Sequence, residues 1–368
     1  MRPASEAEKA RLAELFADLC RIPSPFGHER VCADRVLGEL RGMGVAAEED
    51  SAGNLLARIP GRGDRSILLC AHMDTVECDV PIEPVLVEGG WENEHDGILG
   101  ADNKAALAVM LAVARRASIE GSPVGLELLF TVSEEDSLAG AKAFDASRLR
   151  AEFGYVFDHA TPIGEIVTAS PTAYRMEADF HGKAAHAGIR PEDGRSAVLA
   201  AARAITAMPL GRIDAETTAN VGSVHGGVAS TNVVPERCRL RAEVRSLDPA
   251  RVETVVSGLV DALYDGAAQS ECDVDVVSEK VFTGYRVRPS APELAAAEDA
   301  LRACGYEPTR IGTGGGSDAN ALQAAGFSCL CLANGTERAH ETTERVSVVA
   351  LEGMLDVALA LLDEAAAA

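Results

Sequence analysis

A chain of 368 residues, 47% apolar and 25% charged, is long enough for two domains and ordinary for a globular protein. This excludes collagen-like, fibrous and low-complexity classes. Its 57 acidic against 34 basic side chains give a formal charge of -23, which disfavours nucleic acid and anionic membrane surfaces but suits cations. No window approaches eighteen consecutive apolar residues, and the opening MRPASEAEKARLAELF has no apolar signal core. A cytoplasmic protein with no nucleic-acid or membrane partner is therefore expected.

The first predicted element is a helix. Ser5 and Glu8 form a capping-box pattern, and Leu12, Leu15, Phe16 and Leu19 follow at helical spacing. A second helical pattern covers 28–43. Short apolar runs at 66–71, 126–132, 155–157 and 329–333 read as strands, with a helix at 103–116 between them and a final helix at 348–362. Strands alternating with helices predict an α/β sheet covered on both faces. The middle differs: strand 174–180, helix 194–207, strands 219–224 and 237–244, helix 249–264, strand 272–281. That β-α-β-β-α-β order closes as a ferredoxin-like domain of its own. The expected organisation is a catalytic domain from 1–172 and 284–368, with an inserted domain at 173–283. The nine cysteines include no CxxC pair, which favours free thiols over a cysteine metal site.

Ligands of open α/β sheets bind beyond the carboxyl ends of the strands, and four acidic or histidine-bearing segments fall there. In LLCAHMDTVE, His72 and Asp74 flank one residue, and a carboxylate there can orient an imidazole. In GILGADNKAALA, Asp102 opens a helix, where an aspartate is also an ordinary N-cap; its two oxygens can bridge two cations. In ELLFTVSEEDSLAG, adjacent Glu134, Glu135 and Asp136 repel one another unless a cation neutralises them. At a strand end, neighbours point to opposite sides, so one can ligate a metal while the other holds a water. Asp158 ends the strand of GYVFDHATP, and His340 lies in GTERAHETTERV. His72, Asp102, Glu135, Asp158 and His340 together offer three ligands to each of two metals if Asp102 is shared. An open position on each is the pattern of a catalytic site. The mixed nitrogen and oxygen donors suit two Zn2+, with Co2+ or Mn2+ as alternatives.

The ordered segments AHMDTV, GADNKAALA, TVSEEDSLAGAKAF, VFDHA, HGKAAHAG, STNVVPERC, GGGSDANAL and AHETTERV resemble the co-catalytic di-zinc metallopeptidases. That family includes peptidase T, aminoacylases, carboxypeptidase G and succinyl-diaminopimelate desuccinylase; the likeness to peptidase T-like tripeptidases is the strongest. The resemblance implies a zinc-exopeptidase-like three-layer α/β/α catalytic domain with an inserted lid and dimerisation domain, and a homodimer through that insert. It implies one metal on His72, Asp102 and Asp158 and the other on Asp102, Glu135 and His340, with Glu134 as general base and Asp74 orienting His72. His186 would help polarise the scissile carbonyl, and Asn232, Gly315 and Ser317 would bind substrate. A cis Asp102–Asn103 peptide is also implied.

Asp158, where deacylases and carboxypeptidases more often carry Glu, leans towards short peptides with a free N-terminus. Against this, GTGGGSDAN lacks the arginine that peptidase T carries in that loop. This leaves Arg310, Arg245 or the loop amides to meet a substrate carboxylate. A deacylase or carboxypeptidase on the same scaffold is the alternative activity. A non-enzymatic peptide binder fits the intact set poorly. The glycine-rich run lacks both GxxxxGK[ST] and GxGxxG spacing, so a phosphate cradle is disfavoured.

Overall fold

The structure is a computed structural model and describes residues 2–367. The chain divides into two compact units. The larger contains residues up to Ala169, Arg286–Gly312 and the chain from Gly316; the smaller contains Ser170–Tyr285 with Thr313–Gly315.

In the larger unit the apolar runs form a mixed sheet. Its order is Ala47–Glu49, Leu55–Ile59, Gly125–Thr131, Ser66–His72, Phe153–His159, Cys329–Ala333, then Glu165–Ser170. The Ser66–His72 strand runs parallel to both Gly125–Thr131 and Phe153–His159, and His72 lies opposite Thr131. The segments that follow these strands therefore emerge at one edge, which is what collects the acids and histidines. Both faces of the sheet are covered. Ile67, Leu69 and Ala71 enter the main core with the Ala101–Glu120 helix, while Cys70 faces Asp318. The Ala101–Glu120 helix is buried nearly all round, because the helices Glu6–Cys20 and Val348–Ala367 pack against it. Its apolar composition has no polar face for that reason. The Glu6–Cys20 helix starts with the expected capping box of Ser5 and Glu8. A small antiparallel sheet of Thr336–Glu337, Arg345–Ser347, Gly90–Asn93 and Pro84–Val87 has no counterpart in the sequence reading: two- to four-residue strands leave no periodic signal. Among the described residues all nine cysteines are free.

The smaller unit is a five-stranded antiparallel sheet ordered Gly211–Asp214, Thr217–Gly226, Arg237–Ser246, Thr172–His181, Asp273–Phe282. The helices Ala197–Ala207 and Pro249–Ala268 contribute to its core with Phe180, Leu240, Val244, Leu259 and Leu263. Strict alternation buries Cys238, Leu240, Ala242 and Val244. The opposite face carries charge pairs such as Arg239–Asp179 at 2.7 Å and Arg241–Glu177 at 2.8 Å. The four principal strands have the ferredoxin-like order, and Gly211–Asp214 is an added hairpin strand that the sequence reading did not contain. Thr313–Gly315, which that reading leaves in the catalytic domain, packs instead with this unit. Ser170 Oγ donates to the Gly315 carbonyl at 2.9 Å, and Arg245 Nη1 to the Gly314 carbonyl at 3.1 Å.

Candidate metal centre

His72 ends its strand fully buried. Its Nε2 lies 3.2 Å from Asp158 Oδ1 and 3.4 Å from Asp102 Oδ1. The other oxygen, Asp102 Oδ2, lies 3.6 Å from His340 Nε2, which in turn sits 2.8 Å from Glu135 Oε1. Asp102 thus turns one carboxylate oxygen to each histidine. The ligand atoms of His72, Asp102 and Asp158 lie within 4.8 Å of one another, as do those of Asp102, Glu135 and His340. A third such group joins His72, Glu134 and Glu135, so the adjacent glutamates both face the site. The Asp102–Asn103 peptide is cis. Asn103 Nδ2 donates to the Phe157 carbonyl at 2.7 Å and to Asp158 Oδ1 at 3.0 Å, which ties the Asp102 segment to the strand carrying Asp158.

Asp74 does more than orient an imidazole. The nearest acceptor for His72 Nδ1 is the Asp74 backbone carbonyl at 3.0 Å, with the carboxylate at 3.4 Å. The two carboxylate oxygens accept from the amides of Glu134 and Glu135, at 3.0 and 2.9 Å. Asp74 therefore fixes the backbone of both glutamates as well as the histidine.

The charge balance of the site calls for cations. Asp74, Asp102, Glu135 and Asp158 make their ion pairs with His72 and His340, and no lysine or arginine joins these pairs among the described residues. Burial, then the carboxylate of Asp158, pushes Glu134 well above the usual range. Burial likewise pushes up Asp158, although His72 opposes it. For His72 burial favours the neutral ring, but Asp158, Asp102 and Asp74 outweigh it and raise the imidazole well above its ordinary value. His340 is raised to about 9 by its hydrogen bond to Glu135. Asp102 Oδ1 is buried without a hydrogen-bond partner. Uncompensated carboxylates and an orphaned oxygen at the centre of two imidazole–carboxylate triads fit divalent cations.

Some residues predicted at the site are occupied elsewhere. Ser317 forms a reciprocal capping box with Asn320 at the start of the Asp318–Ala324 helix. The Gly315 amide donates to Thr313 Oγ1 at 3.0 Å. His186 and Asn232 lie in the smaller unit and are neighbours there: His186 bridges Val233, and the Ala187 amide donates to the Asn232 carbonyl at 2.8 Å. The Gly188 amide donates to His186 Nδ1 at 3.2 Å. That bond makes Nδ1 the acceptor and leaves Nε2 as the donor of the neutral ring.

Two buried acids beside the centre escaped the sequence reading. Asp318 accepts from Thr131 Oγ1 at 2.5 Å, has its other oxygen without a partner, and is raised to about 6 by burial. Glu344 is buried and raised to about 7 by burial. Asp318 follows the glycines of GGGSDAN as the first residue of a helix, a place where acids are common without being buried. Glu344 is one of three glutamates in HETTERV and its immediate surroundings, and nothing local marks it as buried.

Residues 169–271 match the family Peptidase dimerisation domain, and residues 54–179 match Peptidase family M28. The aminopeptidase PepT of Bacillus cereus ATCC 10987 superposes with a TM-score of 0.88 at 35% identity, covering 97% of this chain and 99% of that one. A tripeptidase of Staphylococcus aureus subsp. aureus mu50 gives 0.93 at 32% identity, covering 98% and 99%. The chain belongs to the peptidase T-like metallopeptidases. Protein YqjE of Bacillus subtilis (strain 168) is 36% identical over 97% of this chain and 98% of its own length. Peptidase T of Vibrio cholerae is 25% identical over 94% and 93%. This peptidase is accordingly a hydrolytic enzyme with a mixed α/β catalytic domain and a dimerisation-type domain, from metal-dependent families. No helix among its described residues is long and apolar enough to cross a membrane.

Proposed function

We propose that this peptidase is a two-metal exopeptidase that removes the N-terminal residue of short peptides, tripeptides above all. The carrying observation is Asp102, with one oxygen beside His72 and the other beside His340. His72, Asp102 and Asp158 would hold one divalent cation, and Asp102, Glu135 and His340 the other. Zn2+ matches this donor set, and Co2+ or Mn2+ are its substitutes. When bound, such a pair supplies Lewis-acid polarisation and acidifies a water at neutral pH. Glu134 is placed to take the proton of the attacking water and hand it to the leaving amine. The resemblance assigns oxyanion stabilisation to His186, through Nε2 as its donor, and peptide binding to Asn232.

For the far carboxylate of a tripeptide, Arg310 is engaged with Glu298 at 2.5 Å. Arg245 is engaged as well, with Glu243 at 3.1 Å and the Gly314 carbonyl at 3.1 Å. Either arginine would have to exchange a carboxylate partner for that of the substrate, and the amides of the glycine-rich loop are the third option. The resemblance to the dimerisation domain supports a homodimer through the smaller unit, and the acidic surface supports a cytoplasmic enzyme. A panel of tripeptides, dipeptides and N-acetyl amino acids tests the reading. Chelator-sensitive cleavage of tripeptides with a free N-terminus is expected. Preference for the N-acetyl amino acids would replace the peptidase with a deacylase.

A further inference from the structure

Glu344 lies outside both ligand triads, yet its carboxylate is spent wholly on the segment that carries Asp102. Oε2 accepts from the Leu99 amide at 2.9 Å and the Gly100 amide at 2.8 Å, and Oε1 accepts from the Asp102 amide at 2.9 Å. Gly100 has φ +74, a left-handed conformation open to glycine, and it allows this short segment to serve one carboxylate. Glu344 also stands four residues after His340. Its own amide donates to the Glu341 carbonyl at 3.0 Å, and the Glu341 amide to the Arg338 carbonyl at 3.1 Å. His340 itself has φ 68, a strained setting for a residue with a Cβ, which persists only where its surroundings over-determine it.

We propose that Glu344 is a positioning residue that locks the His340 turn to the Asp102 segment, so that His340 and Asp102 meet one metal in fixed geometry. The inference rests on the two-metal reading above. An ordinary helix cap would serve the Ala101–Glu120 helix from a neighbouring residue. Here the cap reaches across 242 residues of sequence, and comes from the turn that carries the partner ligand. Both oxygens are needed. A glutamine keeps one acceptor and turns an NH2 towards a backbone N–H, leaving a buried donor unpaired. An aspartate keeps both acceptors on a shorter stem.

The test is titration of metal-free wild type, Glu344→Gln and Glu344→Asp with Zn2+, with thermal stability of each metal-free form measured alongside. Wild type should bind two Zn2+. Glu344→Gln should bind one with near-normal affinity and the second roughly 10–100-fold more weakly, with tripeptide turnover recovering in excess Zn2+. Glu344→Asp should fall between them, and carries the comparison if the glutamine variant fails to accumulate. Lowered stability of the metal-free variants with both Zn2+ affinities unchanged would make Glu344 a purely structural residue and overturn the inference. A wild type that binds no Zn2+ would overturn the metal-centre reading with it.

Discussion

At the scale of single residues, a charged side chain here is placed by what neutralises it. Arg116 is almost fully buried, and Glu8 meets it with Nε–Oε1 at 2.7 Å and Nη2–Oε2 at 2.8 Å. Partial burial alone would raise the Glu8 carboxyl, but the hydrogen bonds from Arg116, Ser5 and Arg2 hold it well below the usual range. A depressed carboxyl contributes stability that is complete above its unfolded pKa and is lost as pH falls through the folded value. Glu8→Gln should therefore destabilise the protein by about 2 kcal/mol at neutral pH, the scale of a hydrogen bond to a charged group. Urea unfolding at pH 7 and at pH 3 checks this: the difference between wild type and variant should shrink at the lower pH. The same logic explains why the acids of the centre were legible in the sequence. His72, Asp102, Glu134, Glu135, Asp158 and His340 follow strands or open a helix, and the structure brings them together. Asp318 and Glu344 are more deeply buried than the partly exposed Asp102, Glu134, Glu135 and Asp158, but their partners are Thr131 and backbone amides, which no spacing rule reveals.

Among the elements, the long strands and helices were legible because their apolar period is long. The Cys329–Ala333 strand has the expected bounds, and the Pro249–Ala268 helix extends four residues beyond its expected end. The 84–93 hairpin and the 336–347 strands were not legible, since their pairing is tertiary. The turn after the Gly125–Thr131 strand is closely packed at Gly140. A Cβ on Gly140 would stand 2.0 Å from the Val132 carbonyl oxygen and 2.8 Å from Asn54 Oδ1. Both are tied down: Asn54 Oδ1 accepts from the Val132 amide at 3.1 Å, and its Nδ2 donates to the Gly140 carbonyl at 2.9 Å. Gly140→Ala must displace the segment bearing Glu134 and Glu135. A loss of about 2–4 kcal/mol is expected, with turnover falling further than stability explains. Thermal unfolding and kcat measured on one preparation check both; a variant of wild-type stability would mean that the turn yields easily.

For the whole molecule, two units share one chain, and each builds its own core. The formal charge of -23 says little about the centre, because most acids pair with arginines on the surface or face solvent. The centre instead concentrates carboxylates at close range, whose mutual repulsion divalent cations would relieve. Binding to the folded state alone stabilises by mass action, about 2.7 kcal/mol when free ligand stands at a hundred times its Kd. Adding Zn2+ to chelator-treated protein should therefore raise the melting temperature by several degrees. Asp102→Ala, which removes the shared ligand, should abolish most of that rise. A full shift in the variant would place the stabilising metal elsewhere. The central claim, that Glu134 is the general base of a two-metal peptidase, is tested most directly by tripeptide turnover of Glu134→Gln carrying the metal content of the wild type. A loss of about 10²–10⁴-fold with both metals retained is expected; near-normal turnover in that variant would mean that another group takes the proton.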